Sequence, residues 1–69
     1  MVVLLERLIA SLPRKLRHVL TLATVEEMSS VEIAEVLGIP EASVRTRLLR
    51  ARQLLRQKLS ALLEGKYAR

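Results

Sequence analysis

The chain has 69 residues and a formal net charge of +5; 51% of it is hydrophobic, and Tyr67 is the single aromatic residue. With no cysteine and one histidine, His18, it excludes disulfides, thiol chemistry and a cysteine or histidine cluster around a metal. The apolar start from Met1 to Leu5 is broken by Glu6 and Arg7, too short for a signal-peptide core or a membrane span, so a cytoplasmic protein without membrane insertion is expected.

No sustained period-2 alternation occurs, and glycine and proline number two each, so helices are predicted throughout. The first is predicted from about Val3 to Ser11, with Leu4, Leu5, Leu8, Ile9 and Leu12 as its apolar stripe. Pro13 pushes Leu12 out of the helical region. Ser11 is placed to cap the next helix, with Pro13 in its first turn. That second helix is predicted over Arg14 to Val25, burying Leu16, Val19, Leu20 and Ala23. A connection through Glu26, Glu27 and Met28 leads to Ser29, which stands at capping-box spacing from Glu32. The third helix runs to Leu37, where Gly38 suits the left-handed residue that closes a helix. Ile39 is expected to dip into the core, and Pro40 presets the start of the fourth helix. Nothing breaks that helix from Glu41 to Glu64; Gly65 is expected to stop it and leave Lys66 to Arg69 as a frayed tail. The expected fold is all-α: a small four-helix domain over residues 1–69, with a C-terminal helix-turn-helix and no wing. Its core must be built from Leu, Ile, Val and Ala, and at this length one core rarely contributes more than about 3–5 kcal/mol net.

Charge is unevenly laid out along the chain. Residues 1–21 hold four basic side chains against Glu6, and residues 22–39 hold Glu26, Glu27, Glu32 and Glu35 with no basic residue. Residues 40–69 hold eight basic side chains against Glu41 and Glu64. A basic end beside an acidic middle gives a directional field that draws phosphates to one side.

The third helix, the glycine turn and the fourth helix have the layout of a helix-turn-helix whose second helix enters the DNA major groove. Ile33, Ala34 and Leu37 face inward on the third helix, with the small Ala34 at the closest crossing. At about 100° per residue, Val44, Leu48, Ala51, Leu55, Leu59 and Leu62 form a buried stripe on the fourth helix. Opposite them fall Thr46, Leu49, Arg50, Gln53 and Arg56, flanked by Arg45, Arg47 and Arg52. Base readers belong near the start of such a helix, so the candidates are Arg45, Thr46, Leu49 and Arg50. Arginine can bond guanine O6 and N7 bidentately, and threonine or leucine can meet a thymine methyl. Candidate backbone contacts are Ser43, beside the N–H groups of the helix start, together with Arg47, Arg52, Gln53 and Arg56, and Arg17 or Lys15 from the second helix. The same arginines can instead form ordinary surface ion pairs: Arg47 or Arg52 with Glu32, Glu35 or Glu41, and Arg17 with Glu27. Leu49 is the one member of this face that solubility does not explain.

Four segments carry a resemblance: Leu12-Pro13 with Arg17; Ser29-x-x-Glu32-Ile33-Ala34; Leu37-Gly38-Ile39-Pro40; and Ser43-Val44-Arg45-Thr46-Arg47-Leu48-x-Arg50-Ala51-Arg52. Together they closely resemble region 4 of the bacterial sigma-70 family of sigma factors, above all the extracytoplasmic-function group. The resemblance implies a domain that recognises the −35 element of double-stranded promoter DNA and docks on the flap of the RNA polymerase beta subunit. It also implies capture by an anti-sigma factor. Two positions depart from the family pattern: Ala42-Ser43 stand where Gly-Thr is usual, and Leu49 where a polar or aromatic residue is common. Ala42 is a good helix former and Ser43 keeps the hydroxyl, so the helix start is expected to survive. A −10-reading region 2 has no room in 69 residues, and the chain is expected to be a fragment of a longer factor. Two other readings compete. A response-regulator output domain shares the Glu-Ile-Ala segment, but usually has serine where Pro40 stands and lacks the Arg-Ala-Arg run. A sigma-like decoy that binds a regulator would use the surplus of Leu48, Leu49, Leu54, Leu55, Leu59, Leu62 and Leu63 on one helix. The sequence holds no paired-carboxylate site, metal cluster or phosphate loop, so neither an enzyme nor a cofactor is expected.

Overall fold

The computed structural model describes residues 2–67, with the side chains of residues 6–64. Four helices follow in chain order: α1 (Val2–Ala10), α2 (Arg14–Thr24), α3 (Ser30–Leu37) and α4 (Glu41–Tyr67). The all-α expectation holds, and there is no strand among the described residues. α4 packs against each of the other three, and α2 also touches α1 and α3, with no close approach of α1 to α3 among the described residues. With 27 residues in α4, its length of about 40 Å sets the long axis of a body measuring 46 × 20 × 16 Å.

The core lies where α2, α3 and the first half of α4 converge. Val19, Ile33, Val44 and Ala51 are fully buried there, with Leu12, Leu20 and Leu48 nearly so. Leu16, Ala23, Ala34, Leu37 and Ile39 pack around them half-buried, as the apolar spacing of each helix predicts. Leu8 and Ile9 bring α1 onto the same body half-buried. The side chains of Leu4 and Leu5, expected in the α1 stripe, lie outside the described residues.

The turn between α3 and α4 forms as its residues dictate. The Ser29 hydroxyl accepts from the Glu32 N–H at 3.2 Å while the Glu32 carboxylate accepts from the Ser29 N–H at 2.8 Å. Gly38 closes α3 with φ +69°, its N–H donating to the Ala34 carbonyl. The Ser43 and Val44 amides then donate to the Pro40 carbonyl at 3.0 and 3.3 Å, which starts α4.

Several expectations are corrected. Ser11 does not cap α2: Pro13 occupies the N-cap without a side-chain bond, and the Ser11 hydroxyl donates back to the Leu8 carbonyl at 2.7 Å. The Leu8 carbonyl lies in the closing turn of α1, three residues before Ser11, where a serine hydroxyl can reach back to it. Gly65 does not stop α4, which runs on to Tyr67. Glycine in a helix costs about 1 kcal/mol but ends one only where the chain turns left-handed, and Gly38 alone among the described glycines does so. Lys66 and Tyr67 are therefore helical, while Ala68 and Arg69 fall outside the described residues. The buried stripe of α4 is also shorter than predicted. Leu55 is half-buried, but Leu59 and Leu62 are 37% and 48% exposed, Leu62 on an open groove that α4 shares with α1.

Candidate nucleic-acid interface

α4 carries the arginine-rich surface because its inner face is fixed by Val44, Leu48 and Ala51 in the core. A helix has one azimuthal setting once three such residues are buried, so the residues between them must face outward. Arg45, Thr46, Leu49, Arg50, Arg52, Gln53 and Arg56 are all exposed, while Ser43 and Arg47 are half-buried at the edge of that face. Leu49 is 56% exposed, so it sits among cations with no core role.

The polar atoms at the start of α4 are already engaged. The Thr46 hydroxyl donates to the Ala42 carbonyl at 3.0 Å. Ser43 was expected to stand among free N–H groups, but its own amide is bonded to Pro40, so the hydroxyl is the group it has to offer a phosphate. Arg45 is paired through Nη2 with Oε2 of Glu41, one helical turn earlier. This is the sole ion pair among the described residues; the pairings of Arg47, Arg52 and Arg17 with acidic residues that the sequence allowed do not form. The i, i+4 spacing of Glu41 and Arg45 was a legible signal for this pair.

Ser43, Thr46, Arg47 and Arg50 line one open depression of about 300 Å³ together with Ala42. Two of the four proposed base readers are thus brought together with two proposed backbone contacts. Arg17 is not part of it. It projects from α2, where its guanidinium donates to the Ala10 carbonyl at 3.2 Å and ties down the end of α1, beside a separate depression shared with Arg14, His18 and Thr21. Met28 was missed as a structural residue: it is half-buried against the core, its amide bonded to the Leu22 carbonyl.

Charge segregates with this geometry. The four glutamates of residues 26–35 lie on α3 and the turn before it, while the cations Arg45, Arg50, Arg52 and Arg56 line the outside of α4. The Ser29 N–H, and secondarily its hydroxyl, hold the Glu32 carboxyl below its ordinary value of 4.5. No group of acidic or histidine side chains among the described residues could hold a metal ion, and no described helix is long and apolar enough to cross a membrane.

Comparison with known proteins follows the same residues. Residues 3–55 match the family model described as "Sigma-70, region 4". Over 55 residues the chain is 42% identical to the ECF RNA polymerase sigma factor SigW of Bacillus subtilis, and 36% identical to the ECF RNA polymerase sigma-E factor of Haemophilus influenzae; each alignment covers 80% of this chain and 29% of the relative. The sigma-E factor of Escherichia coli K12 is 39% identical over 57 residues, 83% of this chain and 30% of that protein. The chain thus spans less than a third of the length of these relatives.

Proposed function

The chain belongs to the sigma-70 region 4 family, and from that premise we propose that it binds the −35 element of promoter DNA as one unit of a longer sigma factor. It would direct RNA polymerase to its start sites in the bacterial cytoplasm. The observation that carries this reading is the outer face of α4, where Arg45, Thr46, Leu49 and Arg50 are exposed along the first turns of the second helix of a helix-turn-helix. In that docking mode the helix start meets base edges. Arg45 and Arg50 are the residues suited to guanine, and Leu49 and the methyl of Thr46 to thymine. Ser43, Arg47, Arg52, Gln53 and Arg56 border them and suit phosphate contacts that fix register. Arg17 joins them only if it gives up its bond to α1.

The remaining partners follow from family membership and from surface chemistry. The end of α4 presents Leu59, Leu62 and Leu63 to solvent, and Leu8, Ser11, Lys58, Ala61 and Leu62 line a mostly apolar groove of about 350 Å³ between α1 and α4. That surface suits protein rather than DNA, and we assign it to the beta-subunit flap of the polymerase core or to an anti-sigma factor. It also sustains the alternative of a sigma-like decoy, which transcription by core polymerase supplied with the full-length factor would exclude.

The test is titration of labelled promoter and scrambled duplexes with the chain across a range of salt. Several phosphate contacts release counterions, so affinity should fall steeply as salt rises. Arg50→Ala should cost about 1–3 kcal/mol on the preferred duplex and relax one base position, whereas Arg56→Ala should weaken both duplexes alike. Equal affinity for the two duplexes at every salt concentration would overturn the assignment of base readers.

A further inference from the structure

Glu41 is the acidic residue of the first turn of α4 and the partner of Arg45 in the one ion pair among the described residues. We propose that Glu41 is a positioning residue for DNA recognition: its carboxylate holds the Arg45 guanidinium so that it selects a base edge over a phosphate. This builds on the reading of promoter DNA by α4.

An unrestrained arginine on a helix is a poor discriminator. Its side chain samples many rotamers, and any phosphate along the duplex satisfies its charge. A carboxylate on Nη2 changes both properties. It fixes the direction of the planar fork while leaving other N–H donors free, and guanine asks for two of them at O6 and N7. It also offsets part of the cationic charge. A phosphate, whose attraction is mainly Coulombic, gains less from such an arginine, whereas the neutral acceptors of guanine lose little.

The surroundings suit that role. The Glu41 side chain is 35% exposed and that of Arg45 is 72% exposed, so the acid is the more covered partner and the arginine the presented one. The backbone beneath them is pinned by the Ser43 and Val44 amides on the Pro40 carbonyl. The neighbouring Thr46 hydroxyl is tied to the Ala42 carbonyl, so the opening turns of α4 are bonded internally without a ligand. As a stabilising contact, an exposed i, i+4 pair contributes little; its effect is on what Arg45 binds.

The experiment takes the wild-type chain, Glu41→Gln, Glu41→Asp, Arg45→Ala and the Gln/Ala double variant. A randomised pool of duplex DNA first gives the wild type's preferred sequence. Affinities for that duplex and a scrambled one are then measured, with thermal melting of each variant as a check on folding. Glu41→Gln should tighten the scrambled duplex more than the preferred one, lowering selectivity about three- to tenfold. Glu41→Asp, which retains a carboxylate one turn from Arg45, should keep most of it. With Arg45 already replaced by alanine, Glu41→Gln should shift both duplexes by the same factor. If it does so with Arg45 present, Glu41 acts as a plain charge and the proposal fails while promoter reading stands. A wild type that prefers no sequence in the pool overturns promoter reading itself, and with it any selectivity for Glu41 to set.

Discussion

Gly38 and Glu27 both hold left-handed backbone, at φ +69° and +54°, and they should respond to substitution in opposite directions. A Cβ on Gly38 would meet nothing within 4 Å, so Gly38→Ala carries only the backbone penalty, about 1–2 kcal/mol. Glu27→Gly removes such a penalty and returns part of it as chain entropy in the unfolded state, leaving a gain of at most about 1 kcal/mol. Urea melts of the two variants against the wild type test this; equal shifts of one sign would contradict it. Gly38 was legible in the sequence because it follows an apolar helix and precedes Ile39-Pro40. Glu27 was not, since its φ follows from Met28 being drawn back to the Leu22 carbonyl and the core. At the candidate interface the same division holds. Periodicity assigned Arg45, Leu49 and Arg50 to the outside of α4, and the i, i+4 spacing of Glu41 and Arg45 marked their pair, but the bond from Arg17 to the Ala10 carbonyl joins two helices and has no such local signal.

At the scale of the element, α3 is the clearest case of a helix written into its flanks. Its capping box makes the helix start sensitive to acid. The folded protein holds the Glu32 carboxyl below 4.5 because Ser29 donates to its charged form. A depressed value means the contribution is fully present above the unfolded value and is lost as pH falls through the folded one. Thermal stability should therefore lose this increment only below about pH 4.5, and Glu32→Gln should flatten the acid limb of the curve relative to wild type. An unchanged difference between the two proteins from pH 7 down to pH 3 would show that the box carries no linkage. The ends of α1 and α4 were less legible. Ser11 has the composition of an N-cap, and Gly65 that of a stop, yet each residue type suits more than one role. The group within reach, the Leu8 carbonyl for Ser11 and a continuing helix for Gly65, decided the outcome.

Across the whole molecule, the core occupies one end of a long body. Ile33 is fully buried where α3 meets α4, whereas Leu62 is 48% exposed on the distal half of α4. Ile33→Ala should cost about 2–5 kcal/mol, comparable to the whole stability of a domain this small, and leave the chain largely unfolded by circular dichroism. Leu62→Ala should cost less than about 1 kcal/mol and leave the melt nearly unchanged. The reverse ranking would place the core elsewhere. Composition and spacing by themselves determined that the chain is helical, where its helices change, and that one face of α4 is cationic. They do so because helical period, caps and turn residues act within a few positions of one another. The packing of the helices against one another set how far along α4 the apolar stripe is covered, and that Arg17 ties down α1. Those outcomes depend on where separate helices end relative to one another, and a leucine at the right angle is buried only if another helix reaches it.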